Sequence, residues 1–278
     1  MPDERLTKRE RREQARHERK QKEAEAERQA RLRRVWTIVG IVGGAIGIAA
    51  LIILTREPPV ESGIAITAAE AEGSWETAGC VPQQMFPIDS AAHLDPSTAP
   101  AARLLYPVRP THGGPHLPGP LPTGVYGDPV DERASTHSLE HGAVIAWYDA
   151  DLVSGDMVSA MESWGRARNR AGFAVSPAQG GGIIVAPFPD GIDSGKAVAL
   201  RAWNAAVDCD DFDETAVDTF LILAFGSRGQ APEGQFNPYP EQILGFEGEP
   251  PTLPGLSGET PTETDTDVAT EEPTEASS

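Results

Sequence analysis

The chain has 278 residues, 39% of them hydrophobic, and a formal net charge of −19. That is enough apolar material for a core, and an acidic balance that excludes nucleic acid, whose affinity comes mostly from Lys/Arg neutralising phosphates. The charge is uneven: residues 1–34 hold 13 Lys/Arg against 8 Asp/Glu, leaving 10 and 34 for the rest. A basic head on an acidic body points to two compartments or two partners.

Residues 1–34 read as a cytoplasmic basic arm. They have high helix propensity and no apolar face, which predicts a solvated helix or a disordered segment rather than a domain. Val35–Leu54 is twenty residues without a charge. At 1.5 Å per residue it spans a hydrocarbon core, and it is too long for a signal-peptide apolar region. It is predicted to be a single transmembrane helix. The Lys/Arg excess before it predicts an N-terminus in the cytoplasm and an extracytoplasmic remainder. Gly40 and Gly44, and again Gly43 and Gly47, have G-x-x-x-G spacing. That suits a homodimer face, and incidental small residues in a lone span account for it equally well.

Residues 55–75 read as a linker, 76–243 as the exported domain, and 244–278 as a disordered acidic tail rich in Pro, Thr and Ser. Within the domain, residues 87–126 read as ordered loop. Asp128-Pro129 resembles an N-cap with Pro at the first helical position, predicting a short helix over 129–141 stopped by Gly142. Ala143–Tyr148 is a strand. A helix is predicted over 151–170. Gly172–Val175 and Gly182–Val185 are strand candidates, and 197–206 reads as a strand in preference to a helix. Asp211–Gly226 is a helix with Asp211 and Glu214 as a cap-like pair. The interleaving predicts an α+β fold: one compact domain with a mixed or antiparallel sheet and flanking helices, with a small α/β sandwich as the alternative.

Cys80 and Cys209 are the only cysteines and both follow the apolar segment. In an exported domain such a pair is read as a disulfide, the alternative being two buried thiols.

Chemistry concentrates in one region. Four of the six histidines, His112, His116, His137 and His141, fall within thirty residues around a Pro/Gly-rich loop. On a helix, His137 and His141 share a face, with Glu140 on the same side. With a loop histidine folded over them they would offer neutral nitrogen ligands for Zn²⁺ or Cu²⁺. Glu140 would be a fourth ligand or would orient an imidazole. The candidate ligands are therefore His116, His137, His141, Glu140 and His112. His137-x-x-Glu140-His141 also matches the H-x-x-E-H pattern of inverted zinc peptidases, although Gly142 and a strand follow where those enzymes continue a long helix. The bland alternative is a structural network, with imidazoles on carbonyls at a helix C-terminus. There is no G-x-S-x-G, P-loop or C-x-x-C.

Several blocks resemble the DUF3105 family, a bacterial domain of unknown function usually carried behind one N-terminal membrane span. They are Pro110-Thr111-His112-Gly113-Gly114-Pro115-His116, Gly124-Val125-Tyr126, His137-Ser138-Leu139-Glu140-His141-Gly142-Ala143-Val144, Ala202-Trp203, Cys209-x-x-Phe212-Asp213 and the stretch from Arg228 to Glu233. The likeness covers about residues 76–235. Family members usually show P-T-S-G-P-H; here His112 stands in place of that Ser and Gly113 lengthens the run. The resemblance implies an exported domain with His116, His137, Glu140 and His141 as its site, and no established activity. The leading expectation is a membrane-anchored domain binding a divalent metal or small polar ligand. A cell-envelope scaffold with structural histidines comes second, and a zinc-dependent hydrolase third.

Overall fold

A computed structural model describes residues 63–251 continuously, together with helical pieces between residues 16 and 48. Contacts divide the chain into two units, 1–59 and 60–278. Among the described residues no helix is long and apolar enough to cross a membrane. The expected cytoplasmic arm, the span Val35–Leu54 and the first part of the linker fall wholly or partly outside the described residues, as does the acidic tail from 252.

The second unit begins with β1 (Ile64–Thr67) and α1 (Ala68–Thr77), then β2 (Val81–Pro82) and β3 (Gly124–Val125). There follow α2 (Glu132–Glu140), β4 (Val144–Tyr148), α3 (Gly155–Arg168), β5 (Ile183–Pro187), β6 (Val198–Ala202), β7 (Ala205–Cys209), α4 (Glu214–Ala224) and β8 (Leu244–Glu247). Six strands form a mixed sheet in the order β2-β7-β6-β4-β5-β3. β4 runs parallel to β5 and antiparallel to β6. The fold is thus α+β with a mixed sheet and flanking helices.

β4 is V-I-A-W-Y, buried at every position, so the sheet is covered on both faces. Val144, Ala146, Val185, Val198 and Leu200 face one core with Trp75, Trp164, Phe220 and Leu221 from the helices. On that side Asp218 of α4 accepts hydrogen bonds from Trp164 Nε1 and Arg168 Nε of α3, both at 2.8 Å. Ile145, Trp147, Ile184 and Ala199 face a second core, closed by Leu139 of α2 and by the long loops. The histidines stand on this second side.

Several sequence expectations are corrected. Residues 64–75, read as linker, belong to a strand (Ile64–Thr67) and a helix (Ala68–Thr77). Thr67 and Glu70 form a reciprocal capping box at its start. β1 pairs in parallel with β8, which lies just beyond the expected domain limit at 243. Gly172–Val175 is not a strand: residues 169–173 make a π-helical turn in which Gly172 has φ +137°, a conformation that interrupts extended pairing. The 197–206 segment is a hairpin of β6 and β7, turned at Trp203-Asn204, where Asn204 has φ +54°. The expected disulfide between Cys80 and Cys209 is present.

Candidate metal centre

α2 starts later than the Asp128-Pro129 signal suggests. Asp131 is the N-cap, its carboxylate accepting from the Arg133 N–H. The helix stops where expected: His141 is the C-cap and Gly142 has φ +84°, so its N–H reaches back to the Leu139 carbonyl at 2.8 Å. The Asn237 side-chain amide donates to the His141 carbonyl at 2.5 Å and closes the end.

The His112–His116 loop is held against the helix and the sheet. Glu132, in the first turn of α2, accepts from Arg109 Nε at 2.7 Å and from the Thr111 N–H at 2.8 Å. Arg201, fully buried on β6, donates through Nε to the Pro110 carbonyl at 2.6 Å and through Nη1 to Asp208 at 2.5 Å. The Asn204 N–H donates to the His112 carbonyl at 2.9 Å. Gly113 (φ +151°) passes so close to the β6–β7 turn that a Cβ there would lie 3.3 Å from the Trp203 ring.

Two imidazoles are fixed by this backbone. His116 Nδ1 donates to the Gly114 carbonyl at 2.8 Å, and His137 Nδ1 to the Leu117 carbonyl at 2.7 Å. A carbonyl only accepts, so each Nδ1 carries the proton and each Nε2 of the neutral ring is a bare lone pair. Both Nε2 atoms converge with His93 and Glu140, and the ligand atoms of these four residues lie within 4.8 Å of one another. His116 Nε2 is fully buried without a hydrogen-bond partner, yet stands 3.1 Å from Glu140 Oε2. The distance is that of an ion pair, while the angles do not make a hydrogen bond. Burial holds the His116 and His137 rings below the ordinary histidine range. Burial, then repulsion from Glu233, pushes the Glu140 carboxyl up. A lone pair facing a carboxylate is repulsive unless a proton or a metal ion lies between them. The donor set, three imidazoles and one carboxylate, with the Nδ1 protons of His116 and His137 anchored on carbonyls, could hold a divalent transition metal.

The sequence candidates divide. His116, His137 and Glu140 are brought together. His141 lies beside them, its Nε2 3.1 Å from His137 Nε2 and 3.3 Å from Glu233 Oε2. His112 is not in the group. Its ring packs on Phe86 at 4.0 Å between centroids, and its Nε2 accepts from the Phe86 N–H at 3.3 Å. It is buried against Phe86 instead.

Sequence reasoning missed His93 and Glu233. His93 belongs to an irregular segment with no periodicity. Its backbone pairs with His116, through Leu94 N–H to His116 O at 2.7 Å and His116 N–H to Ala92 O at 3.1 Å. Only the side-chain type, another histidine beside a His-rich loop, could have flagged it. Glu233 is brought in by its N–H, which donates to the Glu140 carbonyl at 3.1 Å. Both side chains are about half exposed and leave that side of the cluster open to solvent.

A model of the family described as a protein of unknown function (DUF3105) matches residues 97–238. The chain belongs to this family. Neither the curated proteins nor the solved structures give a match. The DUF3105 segment includes His116, His137, Glu140, His141, Glu233 and Cys209; His93 and Cys80 lie just before it.

Proposed function

We propose that the domain binds a divalent transition metal, Zn²⁺ or Cu²⁺, through His93, His116, His137 and Glu140. One observation carries this reading: the buried His116 Nε2, without a hydrogen-bond partner, faces the Glu140 carboxylate, a contact that a metal ion between them would relieve. The anchored Nδ1 protons support it, because metal-bound imidazoles need their other N–H held. In this reading Val35–Leu54 is the membrane anchor and the domain is displayed outside the cytoplasm. The charge asymmetry and the disulfide support that setting. Homodimerisation through Gly40 and Gly44 belongs to the same proposal.

The test is metal uptake by the full chain purified without a His-tag. A four-ligand site is worth about 10–16 kcal/mol, so removing one ligand costs about 3 kcal/mol, a weakening of more than a hundredfold. His137→Ala is expected to show that loss for Zn²⁺ or Cu²⁺, measured by competition with a chelator of known affinity. Uptake equal to wild type overturns the site.

A scaffold with structural histidines is the second reading, favoured by the carbonyl bonds of His116 and His137, which staple the loop to α2 whether or not an ion is bound. It predicts that His137→Ala lowers stability with no metal taken up by wild type. Hydrolysis stands third. His137-x-x-Glu140-His141 does not reproduce the peptidase arrangement here, since Glu140 sits among the ligand atoms and His141 outside them.

A further inference from the structure

We infer that the cluster takes two metal ions, the second held by His137, His141 and Glu233. This rests on the metal reading above and goes beyond it. Ligand atoms around one tetrahedral ion stand about 3.3 Å apart, from bonds of about 2.0–2.1 Å. The four-residue group is looser, reaching 4.8 Å. The short contacts divide the side chains into two sets. In the first, His116 Nε2 and His93 Nε2 lie 3.1 Å and 4.0 Å from the same oxygen of Glu140. In the second, His141 Nε2 lies 3.1 Å from His137 Nε2 and 3.3 Å from Glu233 Oε2.

Each set is two imidazoles and one carboxylate, a donor composition that binds a divalent transition metal and leaves positions open. His137 has one free nitrogen, because Nδ1 is committed to the Leu117 carbonyl, so it serves one ion only. With one ion bound it completes the four-residue set; with two, its short contact with His141 assigns it to the second, and the first keeps His93, His116 and Glu140. Neighbouring sites of this kind hold ions about 3.5–4 Å apart. Glu140 and Glu233, whose charges repel each other, would then each face a cation.

The fold places Glu233 for this role. Gly142 comes so close to the following turns that a Cβ there would meet Gly226 Cα at 2.8 Å and Gly234 Cα at 3.0 Å. This contact and the Glu233 N–H to Glu140 carbonyl bond fix the Glu233 backbone against the end of α2. Its carboxylate therefore reaches His141 without ordering a loose loop. The competing arrangement is a plain hydrogen bond, with a His141 Nε2 proton donated to His137 Nε2 and no second ion.

Zn²⁺ stoichiometry of the full chain, measured by equilibrium dialysis and elemental analysis without a His-tag, decides between them. Two ions per chain are expected for wild type and one for Glu233→Gln. The Glu233 side chain is half exposed, so the fold should survive the change, which circular dichroism checks. One ion in wild type overturns the second site and leaves the single-ion reading standing. Two ions in both proteins overturns the assignment of Glu233. None in wild type overturns both readings.

Discussion

Replacing Cys80 and Cys209 together by Ala is expected to lower the stability of the domain by about 5 kcal/mol, the chain-entropy value for a cross-link closing a loop this long. The two residues are 129 apart in sequence, so the bond removes much of the freedom of the unfolded chain. It also acts locally. β2 has only two residues, paired as Val81↔Asp208 and Pro82↔Val207 at the edge of the sheet. A pair that short is marginal alone. Cys80 immediately precedes it and ties it to the end of β7. At about 2–4 °C per kcal/mol for a domain of this size, the variant should melt about 10–20 °C lower. Urea unfolding of wild type, wild type under reducing conditions and the double variant measures the difference. A loss below about 1 kcal/mol would show that the bond constrains little, and that the entropy model fails here.

His112 is expected to make the fold acid-sensitive. Burial and the neighbouring Arg201 guanidinium press its ring down to about 4. In the unfolded chain it returns to about 6.5. The folded state therefore binds fewer protons between these values. The stability this ring supplies is complete above pH 6.5 and is lost as pH falls towards 4, by about 3 kcal/mol in all. His112→Gln, which keeps an acceptor for the Phe86 N–H, should flatten that loss. Unfolding free energies at pH 7 and pH 4.5 for both proteins measure it. An equal fall in the two would mean that His112 is protonated in the fold without penalty, and that the acid sensitivity belongs to other groups.

The parts of the fold legible in the sequence are those with local signals. Ala143–Tyr148 reads as a strand because an apolar run bounded by Gly142 has no other use. The α2 stop is written in Gly142, and α4 in its apolar face and acidic start, although Asp213 rather than Asp211 caps it. Failures came where long-range geometry decided. Nothing in Ile64–Thr67 announces a parallel partner at Leu244–Glu247. Trp203-Asn204 lacks the Gly that usually marks a two-residue hairpin turn, so β6 and β7 read as one strand. The cluster follows the same division. His137, Glu140 and His141 are visible because helical spacing relates them. His116 is visible because its loop is rich in Pro and Gly. His93 and Glu233 reach the cluster through backbone hydrogen bonds to His116 and Glu140, and no spacing rule encodes those. His112 is a candidate by proximity in sequence, but its ring is buried against Phe86, away from the cluster.

The metal content of the full chain, purified without a His-tag and without chelator, tests the central claim most directly. At least one equivalent of zinc or copper per chain is expected, falling to background in the His116→Ala, His137→Ala double variant. A folded wild-type protein that carries no metal and takes up neither Zn²⁺ nor Cu²⁺ would contradict it.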